Sequence, residues 1–116
     1  MHFKLIIAFV EDERTEKLME TARKAGATGA TVVNQARGEG LKKSRTFFGL
    51  SLDTQRDMIM FLVEEHLARK VMEAINAEAE MDAKSGTGLA FQLDVEDVVG
   101  ISRQAEYLSE TVEENL

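Results

Sequence analysis

Two short glycine-containing segments carry the residue types best suited to binding an anion. Each segment, Arg37-Gly38-Glu39-Gly40 and Gly86-Thr87-Gly88, has two glycines separated by one residue. Glycine has no side chain, so the backbone N–H groups of such a turn can approach a phosphate closely. A Gly-x-Gly sequence also occurs in ordinary turns, and each segment alone therefore indicates an anion site only weakly.

A basic stretch overlaps the first of these segments. Residues 37–45 contain four basic side chains and one acidic side chain, a net charge of +3 that leaves −10 on the rest of a chain whose total is −7. Two interpretations remain open, a solvated loop or a loop that binds an anion or docks on a partner. The candidate docking residues are three basic side chains and an aromatic pair: Lys42, Lys43, Arg45, Phe47 and Phe48. The alternative for the aromatic pair is local packing against the protein itself.

The sequence offers no recognisable catalytic or metal-binding set. It has no cysteine and two histidines, His2 and His66, which do not form a His-x-x-x-His pair. His66 follows Glu64-Glu65, and we interpret it as a surface or helix-start residue. We therefore predict no catalytic residue, no metal site and no enzymatic activity.

Charge and hydropathy also limit the partners and the compartment. The net charge of −7 disfavours nucleic-acid binding, which normally requires a basic face. The apolar run Leu5–Val10 is far too short to span a bilayer, and Glu11-Asp12-Glu13 follows it directly. We predict a cytoplasmic protein that neither binds nucleic acid nor inserts into a membrane.

Hydrophobic periodicity predicts four strands and two helices. Apolar or β-branched runs predict strands at residues 2–10, 28–36, 56–63 and 89–95, and amphipathic spacing predicts helices at residues 13–25 and 64–81. This βαββαβ order predicts an α+β, ferredoxin-like fold with an antiparallel sheet and two helices on one face. We predict one domain over residues 1–102, with a long loop at about 37–55, and an acidic C-terminal tail at 103–116.

Several segments resemble the PII family of nitrogen-regulatory signalling proteins. Residues 25–32, 71–75 and 86–91 are similar to the approach to the family's second strand, its second helix and its B-loop. Arg37-Gly38-Glu39-Gly40 lies where that family has its entry to the T-loop. Phe47-Phe48-Gly49 and the ending Val98-Val99-Gly100-Ile101 resemble divergent PII-like members with a short T-loop, and the resemblance runs from about residue 2 to residue 101.

The resemblance implies a homotrimeric signalling protein that binds a small effector at its subunit clefts. AMP, ADP or ATP is the effector class it implies, and the T-loop would regulate a membrane transporter or a metabolic enzyme. The implied effector-binding residues are Gly29, Thr31, Arg37, Gly38, Gly40, Gly86, Thr87, Gly88 and Arg103. Two alternatives stay open, a metal-responsive trimer similar to CutA proteins and a small enzyme with the same fold.

The sequence departs from the PII pattern at charged positions. Leu89 stands where PII proteins have a lysine after the B-loop, and Gly100 and Ser102 stand where they have two phosphate-binding arginines. Met60 replaces a glutamate of the third strand, and Tyr107, the only tyrosine, lies outside the predicted T-loop. These replacements predict weak or altered nucleotide binding in place of tight ATP binding, and a smaller or less charged ligand such as AMP, ADP or a non-nucleotide anion would lose less affinity.

Overall fold

A computed structural model of the chain describes residues 1–36, 46–47, 50–51, 56–84 and 86–101. Two long strands start the two halves of the chain, and each leads into a helix. The elements in chain order are β1 (Phe3–Glu11), a 3₁₀ turn (Asp12–Arg14), α1 (Thr15–Ala25), β2 (Thr31–Ala36), β3 (Thr46–Phe47), β4 (Leu50–Ser51), β5 (Arg56–Glu64), α2 (Glu65–Ala79) and β6 (Gly88–Val95). Within these described ranges, no helix is both long enough and apolar enough to cross a membrane.

The main sheet has four antiparallel strands in the order β2-β5-β1-β6. Strand β1 lies at its centre, and Ile6 pairs with Phe61 of β5 on one side and with Gln92 of β6 on the other. The short strands β3 and β4 pair with each other and form a separate two-stranded ribbon. The predicted α+β, ferredoxin-like class is therefore confirmed.

The core lies between one face of the sheet and the two helices. Because side chains alternate between the faces of a strand, Ile6, Ala8 and Val10 of β1 share a face with Ile59 and Phe61 of β5, and all are almost completely buried. The helices contribute their apolar stripes to the same cluster: Leu18, Ala22 and Ala25 from α1, and Leu67, Ala68, Val71, Ile75 and Ala79 from α2. This burial holds both helices on one face, as the sequence predicted.

The opposite face of the sheet is also apolar, but the helices leave it open. Its side chains alternate with the core residues along the strands and include Leu5, Ile7 and Phe9 of β1, Met58, Met60 and Leu62 of β5, and Leu89, Phe91 and Leu93 of β6. Phe91 and Leu93 are 38% and 50% exposed. Large apolar side chains in one continuous exposed patch mark an interaction surface.

The end of α1 depends on a glycine. Gly26 has φ +129°, a conformation that side chains disfavour. Its N–H donates to the carbonyl of Arg23 at 3.1 Å, and the N–H of Ala27 donates to the carbonyl of Ala22 at 3.0 Å. A side chain on Gly26 would also lie 3.1 Å from Leu67 of α2. This turn fixes where the chain leaves α1 for β2.

Candidate functional site

Four segments of the chain meet at one end of the sheet. Strand β1 ends there at Glu11, β2 ends at Ala36, β5 begins at Arg56 and β6 begins at Gly88. Arg56 pairs with Glu11 on one side and with Ala36 on the other. Residues 37–55 connect β2 with β5, so the predicted T-loop starts and ends at this site.

Arg56 is the central side chain of this end. Its side chain is only 5% exposed. Nη2 donates a hydrogen bond to the carbonyl of Gly86 at 3.1 Å, and Nη1 lies 3.6 Å from a carboxylate oxygen of Glu11. Within the described part of the chain, buried Nε and Nη1 have no hydrogen-bond partner. Glu11 balances part of the charge, but buried N–H groups are costly to leave without an acceptor, so this position favours a further anionic acceptor.

A second buried polar pair lies next to Arg56 and holds α1 on the sheet. The hydroxyl of Thr15, the first residue of α1, donates to Asp57 Oδ2 at 2.6 Å. Both residues are buried, with relative exposures of 4% for Thr15 and 6% for Asp57. This hydrogen bond satisfies one carboxylate oxygen of Asp57 within the protein, so we assign the pair a structural role.

The turn before β6 is held by contacts within the protein. Gly86, whose carbonyl accepts from Arg56, has φ +80°. The Thr87 hydroxyl lies 3.0 Å from the carbonyl of Glu80 and 3.3 Å from that of Lys84. A side chain on Gly88 would lie 3.1 Å from both the Phe9 carbonyl oxygen and Met81 Cε. Close packing therefore accounts for Gly88, and Gly86 brings the turn to Arg56.

Two other predicted effector residues lie further along β2. Thr31 pairs with Met60, four residues along β5 from Arg56 and thus about 14 Å away at strand spacing. Gly29 lines a separate open groove of about 660 Å³ beside α1, together with Arg23 and Phe61. Within this chain, Gly29 and Thr31 are therefore not brought together with Gly86, Thr87 and Gly88.

The remaining predicted residues fall largely outside the described part of the chain. Phe47 belongs to β3 and pairs with Leu50 of β4. The other predicted residues of the effector site and the docking loop, and the tail at 103–116, lie outside the described residues: Arg37, Gly38, Gly40, Lys42, Lys43, Arg45, Phe48 and Arg103.

The family model for the nitrogen regulatory protein P-II matches residues 3–106, nearly the whole chain. The chain belongs to the P-II family. No curated protein sequence gives a significant match.

Solved structures of PII-like proteins share the fold. A PII-like signalling protein of Thermus thermophilus is 22% identical, with a TM-score of 0.62 over 92% of this chain and 96% of that chain. The CPII protein of Thiomonas intermedia bound to ADP, AMP and acetate is 24% identical, with a TM-score of 0.59 over 83% of this chain and 90% of that one. Its apo form is 21% identical, with a TM-score of 0.58 over 82% and 92% of the two chains.

Arg56 is not among the site residues predicted for this P-II family chain. Arg56 and Asp57 fall in the third predicted strand, and neither was predicted to belong to the site. Two adjacent charges at the start of an otherwise apolar strand were the available signal, because charged residues in such strands are rarely buried unless they are paired. The burial of Arg56 and its contact with Gly86 depend on tertiary pairing across 30 residues.

Two of the positions that depart from the PII pattern lie on the open face. Leu89 is partly buried there and pairs with Phe9, and Met60 pairs with Ile7. Gly100 is exposed and has φ +92°, a conformation that favours glycine. These positions supply apolar surface or backbone geometry where PII proteins have charged side chains.

The far end of the sheet carries both histidines, each next to a carboxylate. Glu64 caps α2: one oxygen accepts from the His66 N–H at 2.8 Å, and the other lies 2.6 Å from His66 Nδ1. Glu64, Glu65 and His66 lie close enough to be considered as cation ligands. The positive end of the α2 dipole, however, favours carboxylates there and opposes a bound cation. We therefore interpret this group as a helix cap.

His2 belongs to an exposed ion-pair group on Asp94. The Asp94 carboxylate accepts from Lys4 Nζ at 2.7 Å and lies 2.6 Å from His2 Nε2. The hydrogen bond from Lys4, followed by that with His2, lowers the pKa of Asp94 to about 2. This group ties β1 to β6 at the end of the sheet opposite Arg56.

Proposed function

We propose that this P-II family chain is a trimeric regulator that binds a small anionic effector beside Arg56, with AMP or ADP as the first candidates. The effector would lie at a subunit cleft. Its binding would change how the segment at 37–55 contacts a partner. The unused N–H groups of buried Arg56 carry this proposal. They lie where that segment begins and ends.

The chemistry of the Arg56 end supports an anion in preference to a neutral ligand. Arg56 can donate hydrogen bonds to a ligand from Nε and Nη1. Its Nη2 already donates to the carbonyl of Gly86, which fixes the position of the guanidinium. A hydrogen bond between ionised groups contributes on the order of 1.5–3 kcal/mol. Glu11, at 3.6 Å, offsets part of the positive charge of Arg56. A single guanidinium can bind one phosphate or one carboxylate group, so we expect the ligand to place one such group beside Arg56.

The open apolar face supports a trimer. Three sheets packed together would cover the exposed side chains of β6, which a monomer leaves in water. Burial of apolar surface stabilises by roughly 25 cal/mol per Å², so a face of this kind provides a substantial driving force. Association of the sheets would also place segments of neighbouring subunits near the Arg56 end.

The ligand preference follows from the residues that replace the phosphate-binding groups of PII proteins. Leu89 and Gly100 offer no charge to a second or third phosphate. The CPII structure with ADP, AMP and acetate shows that the shared fold accommodates such ligands in a relative. We propose that this chain prefers AMP or ADP to ATP.

Calorimetric titration with AMP, ADP and ATP tests this ranking. Three missing charge-assisted contacts, each of about 1.5–3 kcal/mol, would weaken ATP binding by several kcal/mol, and about 1.4 kcal/mol corresponds to tenfold in affinity. We expect measurable binding of AMP or ADP and binding of ATP that is at least tenfold weaker. Micromolar binding of ATP with a clear preference over AMP would contradict the ranking.

We further propose that the regulated partner is a membrane transporter or a metabolic enzyme in the cytoplasm. Lys42, Lys43 and Arg45 would contact acidic groups of that partner, and Phe47 and Phe48 would anchor the contact. Loss of partner capture by a Phe47→Ser, Phe48→Ser variant that still binds its effector would support this role.

A further inference from the structure

Strand β2 contains one extra residue next to Arg56. Val33 pairs with Met58 and Ala36 pairs with Arg56, so the register shifts between these two pairs. Two residues, Asn34 and Gln35, therefore lie opposite the single residue Asp57. This arrangement is a β-bulge, and bulges occur preferentially beside functional sites.

The bulge holds Gln35 in an unfavourable backbone conformation. Its φ is +62°, in the left-handed region that residues with a side chain disfavour. The Gln35 side chain is exposed. Among the hydrogen bonds of the described residues, none involves the Gln35 side chain. Strain of this kind persists where the surrounding structure imposes it, and it points to a second arrangement of the segment.

A regular register would exchange the neighbour of Arg56. If the pairing of Val33 with Met58 continued without the bulge, Gln35 would pair with Arg56 in place of Ala36. Side chains of directly paired residues lie on the same face, about 5 Å apart. The carboxamide oxygen of Gln35 would then be an acceptor beside the unused N–H groups of Arg56. In the observed register, the methyl group of Ala36 cannot accept a hydrogen bond, so the unused N–H groups of Arg56 remain available to a ligand.

We propose that Gln35 and the anionic effector compete for Arg56 through these two registers of β2. The bulged register leaves Arg56 open to an anion, and the regular register caps Arg56 with Gln35. An anion that binds only the bulged register shifts the population towards that register. The apparent affinity for the anion equals the affinity of the bulged register multiplied by the fraction of ligand-free molecules in that register. This inference rests on the proposed function for its ligand, whereas the register exchange itself does not require a ligand.

Two substitutions at Gln35 should change affinity in opposite directions. Gln35→Gly removes both the strain of the bulge and the competing acceptor, and for two equally populated registers we expect AMP or ADP to bind about twofold more tightly. Gln35→Glu gives the regular register a charged partner for Arg56, and we expect binding at least about tenfold weaker. The matched control is Gln92→Glu, the same substitution at an exposed position of β6 that pairs with Ile6, away from Arg56. It should change affinity by less than about 1.5-fold.

Nuclear magnetic resonance of the ligand-free protein tests the register directly. We expect cross-strand contacts of Arg56 with both Ala36 and Gln35 in the wild type, or exchange broadening confined to residues 33–36 and 56–58. Gln35→Gly should leave the Ala36 contact alone. A wild type that shows only the Ala36 contact without exchange would overturn the proposal, as would equal effects of Gln35→Glu and Gln92→Glu. Failure of every nucleotide to bind, with register exchange present, would contradict the proposed effector but leave the two registers established.

Discussion

Gly88 shows how one residue couples the candidate site to the core. A Cβ atom on Gly88 would lie 3.1 Å from the Phe9 carbonyl oxygen and from Met81 Cε, so a side chain there requires its neighbours to shift. The thioether of Met81 can move, but the Phe9 carbonyl belongs to the central strand and cannot do so without disturbing the pairing with β6. The turn that reaches Arg56 is therefore fixed by packing.

We expect Gly88→Ala to destabilise the protein by about 1–2 kcal/mol, because the new methyl group overpacks against β1. Denaturant unfolding measures this change. The matched control is Gly29→Ala, since a side chain there meets nothing within 4 Å. That control should leave stability unchanged or raise it by a few tenths of a kcal/mol. Equal losses for both variants would show that close packing is not the reason for Gly88.

At the scale of elements, a buried hydrogen bond holds the start of α1 to the start of β5. The Thr15 hydroxyl and Asp57 Oδ2 lie 2.6 Å apart, and both residues are buried. Asp57 is the residue next to Arg56, so the pair connects the first helix to the candidate site.

Replacement of Thr15 by Val keeps the shape and removes the donor. The Asp57 oxygen then stays buried without this partner, and we expect a loss of about 1–3 kcal/mol in the free energy of unfolding. Thr31→Val in β2 is the control, because Thr31 is exposed and its replacement should change stability by less than about 0.5 kcal/mol. If the two substitutions have the same small effect, the hydrogen bond does not stabilise the docking of α1.

The long elements were predictable because their periodic patterns are strong. The apolar runs of β1 and β5 and the stripe of α2 determined the fold class from the sequence alone. Element ends were less predictable. Helix α2 ends at Ala79 because Glu80 takes a left-handed conformation, with φ +53°, that the sequence does not reveal.

The site was only partly predictable for a related reason. The Gly86–Gly88 turn was recognisable from its glycines, but the burial of Arg56 and the bulge at Gln35 result from pairing between distant segments. No local pattern encodes such pairings.

At the scale of the whole molecule, the proposed trimer depends on the open face of the sheet. Leu93 and Phe91 present large apolar side chains on the outer strand β6. Gln92 lies between them, points to the opposite face and is also exposed. The strand therefore offers a test site and a control site in adjacent positions.

We expect Leu93→Glu to dissociate the trimer, because it places a charge in an apolar interface, where an unpaired charge is strongly unfavourable. Light scattering at micromolar concentration measures the mass. Gln92→Glu adds the same charge on the other face and should leave the trimer intact. A wild-type monomer would contradict the proposed assembly, and so would a trimer that survives Leu93→Glu.

The most direct test of the account is whether Arg56 holds the effector. Calorimetric titration with AMP and ADP compares Arg56→Gln with Arg69→Gln, which removes the same charge from an exposed position on α2. Loss of a charge-assisted contact of about 1.5–3 kcal/mol predicts affinity about 10- to 100-fold weaker for Arg56→Gln. Arg69→Gln should bind as the wild type does. Wild-type affinity in a folded Arg56→Gln protein would contradict the central claim.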